Sequence, residues 1–157
     1  MHLIFNAALA SRLLIAPLLY LVLLTPTANA FCLAPQTEIS GYKIPLDDEI
    51  KTAQSIIVGR VIQKNELKED ATDPVGITAY TIKIKVKTRL KGKLPDTISV
   101  RDENTSARYG MLLGEEHVLF ISEDRDGTLW VDSCGNSAPA FRSQDLIKKI
   151  EAELRKR

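Results

Sequence analysis

Histidine, cysteine and tryptophan are nearly absent from this chain, and each shortage removes a class of chemistry. There are two histidines, two cysteines and one tryptophan. His2 lies in an apolar leader, so His117 is the only imidazole in the rest of the chain. One imidazole and two sulfurs fall short of the four ligands a structural zinc site takes, so no metal is expected. Glu115-Glu116-His117 lacks the helical His-Glu-x-x-His spacing, and adjacent residues of a strand point to opposite faces. No Gly-x-Ser-x-Gly nucleophile motif occurs, and a thiol at Cys134-Gly135-Asn136-Ser137 has Cys32 as its natural partner. His117 alternates with Leu119 and Ile121, the pattern of a histidine packed at a sheet edge rather than an acid-base group. We therefore expect no catalytic residue, no cofactor and no enzyme.

Asp124-Arg125-Asp126-Gly127 imitates part of a calcium loop. With Gly127 in the glycine place, the loop would run from Ser122 to Ser133 and lack its closing glutamate. A charge excess of one sign is missing too. The chain has 21 basic and 20 acidic residues, and Arg12 is the only charged residue among the first thirty, so the remainder is balanced. Without a basic excess or interleaved aromatics, a nucleic-acid partner is not expected. No internal repeat or long low-complexity run divides the chain.

The one long apolar run, Leu13 to Leu24, follows Arg12 and precedes Thr27-Ala28-Asn29-Ala30, an Ala-x-Ala cleavage pattern. It is shorter than the roughly 20 apolar residues of a spanning helix, so residues 1–30 are expected to be a signal peptide, cut after Ala30. No membrane span remains after that cut, and the expected location is secreted, periplasmic or extracellular. Cleavage leaves 127 of the 157 residues, enough for one domain with one core. In an oxidising compartment a single bridge from Cys32 to Cys134 is the economical expectation, against two free thiols or an intermolecular pair.

Residues 31–45 contain Pro35, Gly41 and Pro45 and read as an extended arm or loop. Leu46, Ile50 and Ala53 share one helical face, with Asp47, Asp48 and Glu49 suited to a first turn. The first strand is expected over Gln54–Gln63, nearly unbroken in its apolar residues and therefore central, with Gly59 marking a bulge. Asn65–Gly76 reads as a polar loop around Asp73-Pro74.

The clearest signal is a hairpin. Along Tyr80–Leu90, Ile82, Ile84 and Val86 point one way while Thr81, Lys83, Lys85 and Lys87 point the other, and after Gly92 and Pro95 a third strand follows over Thr97–Arg101. Further strands are predicted over Glu116–Ser122 and Thr128–Ser133, joined through Asp126-Gly127. A last helix is predicted over Gln144–Lys156, with Ser143 as N-cap and Leu146, Ile147, Ile150 and Leu154 as the stripe that covers the core. Five short strands with an early and a late helix fit a mainly β, five-stranded Greek-key barrel of the OB-like kind.

The succession Ser55-Ile-Ile-Val-Gly-Arg-Val, Tyr80-Thr-Ile-Lys-Ile-Lys-Val, Leu90-Lys-Gly-Lys-Leu-Pro-Asp-Thr-Ile-Ser-Val and Leu129-Trp-Val-Asp-Ser-Cys-Gly resembles the tissue inhibitor of metalloproteinases and netrin-module superfamily, closest to its exported bacterial relatives. The resemblance runs from about Cys32 to Gly135. It implies an OB-like barrel over residues 31–142 with helix 143–157 outside it, and N-terminal cysteines bridged into the body, Cys32 and Cys134 matching such positions. Members commonly begin with a Cys-x-Cys pair, whereas Cys32 stands alone, and Ser106-Ala-Arg-Tyr-Gly110 has no cysteine. In the inhibitors the first residue is a cysteine whose amine and carbonyl chelate the protease zinc; Phe31 in front would displace that group by one residue.

A non-catalytic binding module of this type is the leading expectation. Its partner-binding arm would comprise Phe31, Cys32, Leu33, Ala34 and Pro35, with Phe31 an apolar anchor, Pro35 a rigid spacer, and a protein such as a metalloprotease as partner. The alternative is a structural cell-envelope or extracellular protein without inhibitor activity, holding an anionic polymer against Lys83, Lys85 and Lys87. A solvated strand face that discourages edge pairing is the plain use of the same lysines. Asn104-Thr105-Ser106 is a formal glycosylation acceptor.

Overall fold

The computed structural model describes residues 32–33, 41–106 and 108–156. The leader and three residues of the expected arm, Phe31, Ala34 and Pro35, lie outside them. Within the described chain, helix α1 (Leu46–Thr52) precedes strands β1 (Ser55–Leu67), β2 (Ala79–Lys91), β3 (Thr97–Glu103), β4 (Glu116–Glu123) and β5 (Leu129–Val131). A two-residue strand β6 (Ala138–Pro139), a 3₁₀ turn (Ala140–Arg142) and helix α2 (Gln144–Arg155) follow.

The strands pair in the order β1-β2-β3-β5-β4, and β4 returns to β1, so the sheet closes into the expected five-stranded OB-like barrel. All of these pairings are antiparallel except β3 with β5, where Val100 faces Leu129 and Arg101 faces Trp130. Closure follows from β1, whose Ile57, Gly59 and Arg60 pair with both β2 and β4. Its register shifts between Val58 and Gly59, the bulge that the sequence predicts, and a Cβ at Gly59 would lie 2.5 Å from Ile84 Cγ2.

Period-two alternation divides the apolar residues between two cores. Ile57, Val61, Ile82, Ile84, Val100, Leu119 and Ile121 fill the barrel, together with Met111 from the β3–β4 connection. Their neighbours Ile56, Val118 and Phe120 face outward and pack with Ile50 and Ala53 from the first helical segment and Ile150 of α2. Leu146, Ile147 and Leu154 pack against this second core, so the α2 stripe covers its own domain. Both faces of β4 and of the first half of β1 are therefore buried, which explains the nearly unbroken apolar run at the start of β1.

Several element boundaries differ from the sequence reading, as does the cap of α2. β1 extends to Leu67 instead of Gln63, and Asn65, Glu66 and Leu67 pair with Thr81, Tyr80 and Ala79. This stretch has little apolar signal because backbone pairing, not burial, holds it. β5 ends at Val131, where the Asp132 side chain accepts from the Cys134 amide and its carbonyl from that of Gly135. Ser143 stands at the N-cap position but makes no side-chain cap; its hydroxyl donates to the Pro139 carbonyl. The Asp126-Gly127 turn forms as predicted, with Gly127 at φ +87° and the Asp124 amide on the Thr128 carbonyl.

Candidate functional site

Cys32 and Cys134 form a disulfide that closes a sequence separation of 102 residues. The bridge belongs to a larger clasp. The Tyr42 amide donates to the Cys32 carbonyl at 2.9 Å, and the Ile44 amide to the Cys134 carbonyl at 3.0 Å. Asn136 then ties both ends to α1: its side-chain amide donates to the Ile44 carbonyl at 2.8 Å and to Glu49 Oε2 at 2.7 Å, while its backbone N–H meets the same oxygen at 2.6 Å. Glu49 is buried, and desolvation pushes its carboxyl above the ordinary value even though Asn136 donates to it twice. Charge at a first helical turn explained Glu49 in the sequence; its actual task is visible only once Asn136 is beside it. Of the expected arm, the described residues place Cys32 in this clasp and leave Leu33 57% exposed.

The lysine row is laid out by the pleat of β2. Lys83, Lys85 and Lys87 are exposed, and Ile82, Ile84 and Val86 between them are buried. Across the sheet, Lys83 faces Gln63 and Ser99, and Lys85 faces Arg60 and Thr97. Arg60 is paired with Glu116 at 2.8 Å. Among the described residues, none of the three lysines takes part in an ion pair, so their charges face outward uncompensated. Alternate residues stand roughly 6.7 Å apart along a strand, a spacing at which three ammonium groups act as one linear field.

His117 corrects the expectation of a sheet-edge histidine. β4 has neighbours on both sides there, Gly59 and Pro139, and the ring points into the barrel with 2% exposure. Tyr109 Oη lies 2.9 Å from Nδ1 and Glu115 Oε2 lies 3.2 Å from Nε2. A neutral ring satisfies both contacts when the tyrosine O–H donates to Nδ1 and Nε2–H donates to the carboxylate. Burial pushes the His117 pKa below its usual value, with Glu115 opposing, and burial raises that of Tyr109. Both ring nitrogens are occupied, so the group organises the barrel interior. Glu115 and His117 share a face because they are two residues apart, which the sequence could have shown; Tyr109, in an irregular connection, gave no signal.

A pH dependence follows from the depressed histidine. The unfolded chain takes up a proton on His117 near pH 6.5, where the folded chain does not. The contribution of the neutral ring is thus complete above about 6.5 and is lost as the pH falls from there to the folded pKa. Urea unfolding at pH 7.5 and 5.5 should show this decrease, and it should be smaller in His117→Gln. A long-range ¹H–¹⁵N spectrum at pH 7 should show the proton on Nε2; a ring protonated at pH 6.5 in the folded chain would refute the assignment.

Asn104 has its side chain committed, donating to the Ile77 carbonyl and accepting from Arg108. Among the described residues, no group of three or more histidine, cysteine, aspartate or glutamate side chains is arranged to hold a metal ion, and no helix is long and apolar enough to cross a membrane. No family model matches the chain, and no curated protein is significantly similar to it.

Proposed function

We propose that this protein is an exported, non-catalytic binding module that holds an anionic polymer against the outer face of its barrel. The carrying observation is the row Lys83, Lys85 and Lys87, exposed on alternate positions of β2, with Gln63 and Ser99 opposite Lys83 and Arg60 and Thr97 opposite Lys85. A polyanion such as a sulfated polysaccharide or polyphosphate meets this row charge for charge. Export is supported by the Cys32–Cys134 disulfide and by the leader, with cleavage after Ala30. The burial of His117, only 2% exposed, supports a role without catalysis.

The test is binding of heparin and of polyphosphate across a salt series. Changing all three lysines to glutamine should weaken binding at least tenfold and lower the slope of log K against log salt by about one per lysine removed. Binding that ignores salt, or a slope untouched by the triple change, removes this reading.

A second reading rests on Leu33. It is an exposed apolar residue directly after the pinned Cys32, so an arm of Phe31, Cys32, Leu33, Ala34 and Pro35 could dock a protein partner in the manner of the metalloproteinase inhibitors and netrin-like modules. The strand order of the barrel and the N-terminal tie support that kinship. Intact mass of the secreted protein decides the chelating version. A chain beginning at Cys32 places the amine and carbonyl for zinc, whereas one beginning at Phe31 does not.

A further inference from the structure

A cavity of about 320 Å³ lies where the end of β3, the β3–β4 connection and β5 meet. We propose that it binds a neutral, polyhydroxylated ligand about the size of one sugar ring, held between Asp102 and Trp130. Asp102 Oδ2 and Trp130 Nε1 are the buried side-chain polar atoms without a hydrogen-bond partner among the described residues, and both residues line this one cavity. Buried polar groups are paired as a rule, so two orphan atoms carried by residues that line one cavity mark a place prepared for another group. Asp102 is 7% exposed, and Arg101, its neighbour on β3, faces Trp130 across the parallel β3–β5 pair.

The orphans specify the ligand chemistry. One is an acceptor and the other a donor, and a hydroxyl supplies both complements. Charge narrows the choice further. The wall carries four carboxylates, those of Asp102, Glu103, Asp124 and Asp132, against the guanidinium groups of Arg101 and Arg108. Arg101 is already engaged by Glu69 and Glu103. Phosphate, sulfate and carboxylate ligands would therefore enter a surplus of negative charge. A cation answers only half of the site, because an ammonium or guanidinium group has no acceptor to offer Trp130 Nε1. Trp130 and Tyr109 add aromatic surface, against which the C–H face of a sugar ring packs. The volume sits at the small end of ligand sites, enough for one ring but not an extended chain. Lys83, Lys85 and Lys87 take no part in it.

Trp130 is the only tryptophan, so its emission reports on this cavity without labelling. The full chain would be titrated with glucose, galactose, mannose and N-acetylglucosamine while emission is followed. At least one should give a saturable change with Kd on the order of 1 mM, the affinity a ligand of about a dozen non-hydrogen atoms reaches. The Asp102→Ala variant should bind it at least tenfold more weakly. The triple lysine-to-glutamine variant should bind it unchanged, which separates this site from the polymer face. Should Asp102→Ala not fold, the indole N–H resonance of Trp130 in the unaltered protein gives an independent readout, expected to shift along the same binding curve. The proposal is overturned if no sugar moves emission or that resonance saturably, if Asp102→Ala binds as well as the parent, or if only an ammonium or guanidinium compound binds.

Discussion

Changing Cys32 and Cys134 to serine is expected to lower the free energy of unfolding by about 3–4 kcal/mol while leaving the barrel assembled. The chain-entropy argument gives about 4.7 kcal/mol for a closed loop of this length, and native bridges commonly deliver somewhat less. Neither cysteine belongs to the two apolar cores, so the native circular dichroism should persist. The local effect is sharper than the global one. The Tyr42 and Ile44 amides donate to the carbonyls of the two bridged residues, so their hydrogen exchange should accelerate well before that of β1 or β4. Denaturant unfolding of the oxidised protein, the reduced protein and the double variant measures the first effect, and amide exchange the second. Equal midpoints for oxidised and reduced protein would show that the bridge closes a loop already held by the Asn136 clasp.

Gly135→Ala is expected to cost about 2–4 kcal/mol, a large effect for one methyl group. A Cβ there would stand 2.9 Å from the Glu49 Cδ and 3.2 Å from the Asp132 carbonyl, and closer still to Glu49 Oε1. The carboxylate has to move, and both Asn136 donors then lose their acceptor. Hydrogen bonds to a charged group contribute roughly 1.5–3 kcal/mol each, and a buried carboxylate without donors is costlier still. A double-mutant cycle with Glu49→Ala isolates the cause. With the carboxylate gone the new methyl has room, so the double variant should be more stable than the sum of the single losses predicts, by at least about 1 kcal/mol. Strict additivity would place the cost of Gly135→Ala in the backbone instead.

These two residues show where reading the chain stops. Gly135 and Glu49 lie 86 positions apart, and nothing local to either says that the carboxylate occupies the glycine's side-chain space. The lysine row was legible because a strand alternates its faces whatever it pairs with, so Lys83, Lys85 and Lys87 had to share one side. His117 was half legible: its parity placed it with Leu119 and Ile121, but only closure of β4 between β1 and β6 put it inside the barrel. The cavity at Asp102 and Trp130 had no counterpart in the sequence, since it forms where β3 and β5, separated by a long connection, become parallel neighbours.

Local physics, then, determined the five barrel strands and both helices by itself, though not the length of β1 or the short strand β6. Alternation marked β2 to β4, glycine the bulge of β1, the Asp126-Gly127 turn its hairpin, and a 3.6-residue stripe the last helix. The even cysteine count pointed to the bridge. What only the tertiary structure decided are the partners of polar groups: Asn136 for Glu49, Tyr109 for His117 and, among the described residues, none for Asp102 Oδ2 and Trp130 Nε1. Apolar burial is non-directional and repeats along the chain, so it can be read from spacing. A hydrogen bond needs two particular atoms within about 3 Å, and chain closure alone brings them there.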